Sequence, residues 1–555
     1  MTRRHLAPAA LCVAFGVMIS AWPHMQSYFV QGDPTWVADD DELMYLSIAA
    51  RSLRGDAWHL ADPMIAADSP TMFPWLQLAP GILAARLVGA GPAAISIGWR
   101  IWAGAAVGLG WYALAAHHLG RRWLAAGLAV ALMADAGLLW LRPLGLNFAY
   151  IYRFASGHAG GLLDASPRVH PQWRLISPGL GLGPLLLHLW LVARALQRPS
   201  AGRVAAAGLG FGLLFYVYFY AWTASGLALA ILGLPAIAGR RWPPSWTIGL
   251  VGAAVGAPSV ASGMGLRARA AEGWLQRSDK FLPIGRLDEL LLPRVALVAM
   301  AVAAVWACRR RRDLAAPCAH AASGLILLNH QVFTKLQIEN FHYGYIWAPC
   351  LSLTLWLLAM GPGGRRASLP AAWLVVGSLA ASGLWLRGAE ASRTADPRAI
   401  LDAYRAFRRA APGLPAGAVV AGDKRFVELS TVLDGTRPLD HYAAVFSPAI
   451  GLEDWERRIA LDGLFRGEDR AAFGARQRAW LDASPWGPWA RGGSGRRERF
   501  DARLRWYDEA SGDPSAAADR YNVRYVATVG DAAPPGRWRR LNRGPRWSIW
   551  GRAER

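Results

Sequence analysis

Lysine is nearly missing from this chain: of 60 Lys and Arg residues, only Lys280, Lys335 and Lys424 are lysine. The net charge of +22 therefore rests on arginines scattered over many short segments. A GC-rich genome accounts for that bias, and the dispersal argues against a nucleic-acid partner, which needs its cations on one face. Cysteine is scarce too. Cys12, Cys308, Cys318 and Cys350 all lie in or beside apolar runs, which speaks against a disulfide framework or a Cys-x-x-Cys metal site and leaves small buried apolar residues. No repeat of fixed period is evident. The glycine runs 179–183 and 208–212 do not join a strand to a soluble helix, so they are not nucleotide loops. With Gly252 and Gly256, spaced as small-xxx-small, they read as sites of close helix packing.

What is abundant is apolar sequence. At 54% hydrophobic and 18% charged over 555 residues, the chain is too apolar to be soluble throughout and too charged to be membrane throughout. A bilayer core of about 30 Å takes about 20 apolar residues per helix. Candidate spans are 6–22, 93–116, 123–141, 176–193, 204–220, 222–238, 247–263, 295–307, 314–328, 345–360 and 371–386, about eleven by this criterion. The basic clusters Arg121-Arg122, Arg194 to Arg203, Arg240-Arg241, Arg309 to Arg312 and Arg365-Arg366 fall at alternate span ends, on the side of Arg3-Arg4. Basic flanks stay cytoplasmic, so an odd count exports everything after Leu386. The first span reads as a retained signal-anchor, because Ala21-Trp22-Pro23 is a poor cleavage site.

The expected fold is an α-helical polytopic membrane domain over residues 1–387, with a first exported loop at 23–92, followed by an exported soluble α/β domain over 388–555. Further exported loops lie at 142–175, 264–294 and 329–344. In the first loop, residues 41–53 and 73–88 read as helices, the second interfacial or re-entrant around Pro74 and Pro80. Past Gly388, 397–411 and 452–465 read as amphipathic helices; 418–421, 525–529, 538–541 and 547–550 read as strands, and 484–495 as a loop.

Against the positive background, Asp39-Asp40-Asp41-Glu42 emerges just outside the first span. In a helix, Asp41, Tyr45, Ile48 and Ala49 share one face. A carboxylate at a helix start is favoured in its ionised form, as a general base requires. Capping alone would need only one of these residues. The pattern D-E-x-x-Y-x-x-x-A over Asp41–Ala49 resembles the first exported loop of the GT-C superfamily of membrane glycosyltransferases, and is similar to that of protein O-mannosyltransferases and lipid A aminoarabinose transferases. The resemblance implies a many-span enzyme in which an aspartate of this loop is essential for transfer from a polyprenyl-phosphate sugar. Here that aspartate is Asp41, or Asp40 one residue earlier, with Glu42 and Tyr45 beside it at the substrate.

Two further segments carry polar chemistry. Arg142, Arg153, Arg168 and Arg174 crowd the second exported loop with His158, His170 and Gln172. Arginine forks suit a departing lipid phosphate, for which Arg168, Arg153, Arg174 and Lys335 are the candidates; anionic headgroups or Arg-rich composition would explain the cluster too. His170 and Gln172 join Glu339, Asn340 and His342 of the polar connector 330–343 as candidate sugar or acceptor contacts. No cofactor is required. A divalent metal on Asp41, Glu339 and His342 is conceivable but has no ligand spacing behind it. These features lead to an inverting hexosyl or pentosyl transfer from a polyprenyl-phosphate donor to an unknown hydroxyl acceptor, at the exported face of a bacterial inner membrane. A lipid or glycan transporter, or a non-catalytic envelope assembly protein, is the alternative. The topology predicts that single cysteines placed at Ser392 and at Asp41 react with an impermeant reagent from the same side; labelling from opposite sides would overturn it.

Overall fold

The computed structural model describes residues 3–32, 40–55, 60–62, 69–71, 73, 75–134, 179–238, 242–272, 311–334, 340–361, 372–373, 376–377, 395–410, 413–441, 447–483 and 494–553. Its first part is a helical bundle. Helix α1 (Leu6–Gln31) is followed by α2 (Asp40–Arg54), a two-residue strand pair β1 (Ala61–Asp62) and β2 (Ser69–Pro70), and helix α3 (Trp75–Leu87). Then come α4 (Pro92–Leu119), α5 (Arg122–Ala134), α6 (Gly181–Gln197), α7 (Ala201–Leu214), α8 (Phe219–Ala238) and α9 (Pro244–Ala268). Helices α10 (Ala315–Leu328), α11 (His330–Thr334) and α12 (Gly344–Met360) complete it. Punctuation explains the longest elements: α4 opens with Pro92 in its first turn and closes at Gly120, whose φ of 67° lets its N–H reach the Ala116 carbonyl at 3.2 Å.

Four helices are long and apolar enough to cross a membrane, covering Arg3–Phe29, Pro92–Leu119, Phe219–Ala236 and Pro244–Ala268; Arg122–Ala134, Ala201–Leu214 and Gly344–Met360 are apolar but shorter. This is a membrane protein. The expected count of about eleven is met only in part, since span 295–307 and most of 371–386 lie outside the described residues. Helix α1 also runs past the expected end at Trp22, continuing through Pro23. The expected span 204–220 breaks early, because three successive i→i−3 bonds at Phe215, Tyr216 and Val217 tighten the turn between α7 and α8.

Small residues set the helix spacing. Gly16 and Gly104 meet backbone to backbone where α1 crosses α4, and Gly108 meets Cys12 one turn on. Helices α7 and α9 interdigitate reciprocally: Gly208 and Gly212 receive Val251 and Val255, while Gly252 and Gly256 receive the rings of Phe211 and Phe215. One end of the bundle gathers basic groups. Arg122 donates to the Arg4 carbonyl (3.1 Å), and Arg311 forks onto Asp313, which also meets His118. Burial alone would raise the Asp313 pKa, but hydrogen bonds with Arg311 and His118 hold it well below the usual carboxylate range.

The C-terminal region is α/β. Its elements are α13 (Ala395–Ala410), β3 (Val419–Gly422), α14 (Lys424–Leu433), β4 (Arg437–Pro438), α15 (Leu452–Phe465), α16 (Arg470–Ala483), α17 (Ser494–Gly512), α18 (Pro514–Arg520), β5 (Val523–Val529), β6 (Trp538–Arg543) and β7 (Trp547–Arg552). The strand order is β4-β3-β5-β7-β6, with β3 parallel to β4 and β5 and the last two strands antiparallel. Strand alternation divides the core. Val420, Ala527 and Ile549 join Phe426 and Trp547 in one apolar cluster continuous with the bundle, whereas Val419, Ala421, Val526 and Trp550 belong to a second around α15.

This region sits on the α2 end of the bundle. Helix α14 packs against α2; Ser447 Oγ donates to Ser69 Oγ (2.6 Å), Ala271 N–H to the Pro448 carbonyl (2.8 Å), and Leu452 N–H to the Glu272 carbonyl (3.3 Å). Gly104→Val should cost about 1–3 kcal/mol by forcing α1 from α4. Gly249→Ala, with open space around it, should be neutral, and thermal unfolding in detergent would compare them. Equal melting temperatures would show that the α1–α4 contact does not limit stability.

Candidate functional site around helix α2

Helix α2 is enclosed almost completely. From Glu42 to Ala50 every residue is buried except Tyr45, which is half-buried and meets Phe73 edge-on at 4.8 Å. Helices α3 and α4 cover one side and α14 another. Asp40 and Asp41 form its first turn; their side chains, like Asp39 altogether, lie outside the described residues. Ile48 and Ala49, expected on the flank of Asp41, are 1% and 0% exposed.

Such burial places the next acidic residue in a demanding position. Glu42 is 1% exposed and Arg100, on α4, is 1% exposed. The guanidinium forks onto the carboxylate, Nη1 donating to Oε1 at 2.6 Å and Nη2 to Oε2 at 2.8 Å. Ser96 Oγ, one turn before Arg100, donates to the same Oε1 at 2.6 Å and accepts from Arg100 Nη1 at 2.5 Å. His24, near the end of α1, closes the group with Nε2 at 3.1 Å from Ser96 Oγ and 3.4 Å from Arg100 Nη1. Three helices are joined through one charge-compensated cluster. Glu42 was expected to touch substrate; instead both its carboxylate oxygens are held by Arg100. The pairing joins residues 58 positions apart. Its one sequence signal is a lone arginine inside an apolar run, which calls for a partner.

A second polar group forms where His342 and Tyr343 meet the α7–α8 turn and the start of α8. His342 Nδ1 and the Tyr218 hydroxyl are 2.8 Å apart, and the His342 ring stacks on Tyr220 at 4.7 Å. Tyr343 is 3.0 Å from Thr223 through their hydroxyls and edge-on to Tyr220 at 5.1 Å. Burial pushes the Tyr343 phenol up to about 12, so it stays protonated near neutrality. His330 donates from Nδ1 to the Leu327 carbonyl (2.7 Å), and burial lowers its pKa. Tyr218, Tyr220 and Thr223 were missed by the sequence reading, although the aromatic run 215–220 was there to be noticed. Asn340 falls in a 3₁₀ turn (Asn340–Tyr343) with its side chain outside the described residues; Lys335 and Glu339 lie wholly outside them. The same holds for Arg142, Arg153, Arg168, Arg174, His158, His170 and Gln172.

The chain is similar to solved structures of an oligosaccharyltransferase. They are of the Archaeoglobus fulgidus enzyme: tethered by a disulfide to an acceptor peptide containing the NVT sequon (10% identity, TM-score 0.44, covering 95% of this chain and 69% of that one); with Zn and sulfate (12%, 0.39, 94% and 68%); and in the apo form (11%, 0.41, 95% and 69%). No protein-family model matches the sequence, and no curated protein matches it. At TM-scores of 0.39 to 0.44 the likeness assigns this chain neither an activity nor a residue role.

Among the described residues no group of three His, Cys, Asp or Glu side chains is placed to hold a metal ion. Of the metal ligands considered from the sequence, only the His342 side chain is described, and it is engaged by Tyr218. The central prediction concerns the buried pair. Arg100→Met leaves Glu42 buried without its partner and should cost about 3–5 kcal/mol. Glu42→Leu with Arg100→Met should cost less than the sum of the single changes, since two apolar residues replace two paired charges. Unfolding of the purified protein in detergent measures all three, and strictly additive losses would show that the groups do not act as a unit.

Proposed function

We propose that this protein is a membrane glycosyltransferase. It transfers a hexosyl or pentosyl unit from a polyprenyl-phosphate donor to a hydroxyl acceptor, with inversion, at the exported face of a bacterial inner membrane. The observation that carries the reading is the acidic first turn of α2, whose third residue, Glu42, is tied to Arg100 in the apolar bundle. A base must be held in place and close to the lipid that brings the donor, and a helix anchored to a membrane-spanning element meets both needs.

In the proposed reaction Asp41 accepts the acceptor hydroxyl proton as that oxygen bonds to the anomeric carbon. The bond from the anomeric carbon to the phosphate oxygen breaks, and the lipid phosphate leaves with the electron pair. Arg168, Arg153, Arg174 and Lys335 neutralise it, and His170, Gln172, Asn340 and Glu339 orient sugar or acceptor hydroxyls. Glu42 and Arg100 position α2, and His342 is held by Tyr218. The apolar spans accommodate the prenyl tail. No step requires a metal.

The transport alternative keeps one observation. His188 on α6 and His320 on α10 are buried inside the bundle with ring centroids 5.9 Å apart. Among the described residues His320 Nε2 has no hydrogen-bond partner. Replacing both histidines with Phe should leave glycosyl transfer within about twofold, whereas a proton-coupled carrier would lose its activity.

Asp41→Asn should lower transfer from a defined polyprenyl-phosphate sugar in vesicles by about 10²–10⁴ at equal protein levels. Asn keeps the shape and can still cap a helix, so a purely structural Asp41 would lose little. Asp39→Asn should be mild; Asp40→Asn tests the register, and if it alone abolishes transfer, Asp40 is the base. Arg168→Ala should weaken donor use. Wild-type rates in both Asp40→Asn and Asp41→Asn would defeat the catalytic assignment.

A further inference from the structure

Arg54 is the last residue of α2, and its guanidinium reaches across to the C-terminal region. Nη2 donates to the Val432 carbonyl in the last turn of α14, and a Cβ on Gly435 would lie 2.8 Å from Nη1. Helix C-termini leave carbonyls unsatisfied and carry negative dipole, so a cation there is favourable. Asp434 and Gly435 close this turn through N–H bonds to the Ser430 carbonyl (2.8 and 3.0 Å), and Tyr404 of α13 donates to Asp434 at 2.7 Å. The cation therefore rests on a braced helix end.

Glu42 and Arg54 hold α2 at opposite ends. At 3.6 residues per turn they stand about 120° apart around the helix, one directed to α4 of the bundle and the other to α14. Two grips on different flanks fix both the tilt and the roll of a rigid helix. The contacts Ser447 to Ser69, Pro448 to Ala271 and Leu452 to Glu272 extend the same interface.

We infer that the C-terminal region acts as a clamp that seats α2 against the bundle, with Arg54 as the positioning residue. This rests on the proposed role of Asp40 or Asp41, since what is seated is their helix. Hydrogen exchange of the full-length protein in detergent, read by mass spectrometry, tests the clamp without any substrate. Arg54→Ala should accelerate exchange of the α2 amides roughly ten- to hundredfold, the worth of a charged hydrogen bond, while β5, β6 and β7 keep their protection. Arg54→Lys, which retains the cation, should stay near wild type. Unchanged α2 exchange in Arg54→Ala, or Arg54→Lys exchanging as fast as Arg54→Ala, would overturn the clamp. So would loss of protection in β5 to β7, which would make Arg54 a residue that folds the tail.

In the vesicle transfer assay Arg54→Ala should lower kcat about tenfold with donor KM unchanged, and Arg54→Lys should restore it. A wild-type protein that transfers no sugar would end the functional reading and leave the exchange result standing. Unaltered exchange beside an active wild type would end the clamp alone.

Discussion

A carboxylate and a guanidinium sealed together inside an apolar bundle set the terms for the rest of the molecule. Desolvating either group alone costs several kcal/mol, so Glu42 and Arg100 must arrive together, in register, with their remaining hydrogen-bond capacity met. That demand reaches into three helices. Arg100 and Ser96 lie one turn apart on α4, and His24 is presented by α1 only because α1 continues through Pro23. Gly16 and Gly104 let α1 and α4 approach closely enough for His24 to reach them. The pair is thus a geometric constraint as much as a source of stability.

The acidic helix is also buried by the C-terminal region. A segment that begins Asp-Asp-Glu has a weak apolar stripe and would be marginal alone, for 15 residues in water gain little beyond the cost of nucleation. Here it is wedged between α3 and α4 on one side and α14 on the other, inside an apolar cluster that runs without a break from the bundle to one face of the sheet. Its stability is tertiary. The bundle and the C-terminal region accordingly share one core at this point.

Much of this plan was legible in the sequence, because long apolar runs and basic flanks are strong physical signals. The helix 452–465 and the strands around Ala421, Val526 and Trp550 followed from periodicity. Helix α16 escaped notice for the opposite reason. Arg470–Ala483 has Phe473, Trp480 and Leu481 as its large apolar side chains, and its neighbour α17 is joined to α15 and α16 by buried Arg499, Arg503, Glu456 and Gln477, a polar network that periodicity cannot register. The pairing of Glu42 with Arg100 was out of reach for the same kind of reason. Local spacing sorts Glu42 with the acids beside it in sequence, and the long-range contact with Arg100 is what sets it apart. The clustering of Tyr218, Tyr220 and His342 is likewise non-local.

The two anchors bear on which aspartate acts under the proposed reaction. Counting around α2 from position 42, which faces α4, Arg54 lies about 120° away on the flank that meets α14. Position 40 falls about 160° from position 42, close to the Arg54 flank. Position 41 falls about 100° to the other side, on neither anchored flank, and shares that side with Tyr45. Tyr45 is the one residue between 42 and 50 that the fold leaves half-buried. Ile48, on the same flank as position 41, is 1% exposed, so that flank too is packed. Rolling the helix by one residue would bring position 40 toward that flank only by carrying Glu42 away from Arg100. The buried pair therefore fixes the roll of α2, and with it the different neighbours that positions 40 and 41 meet.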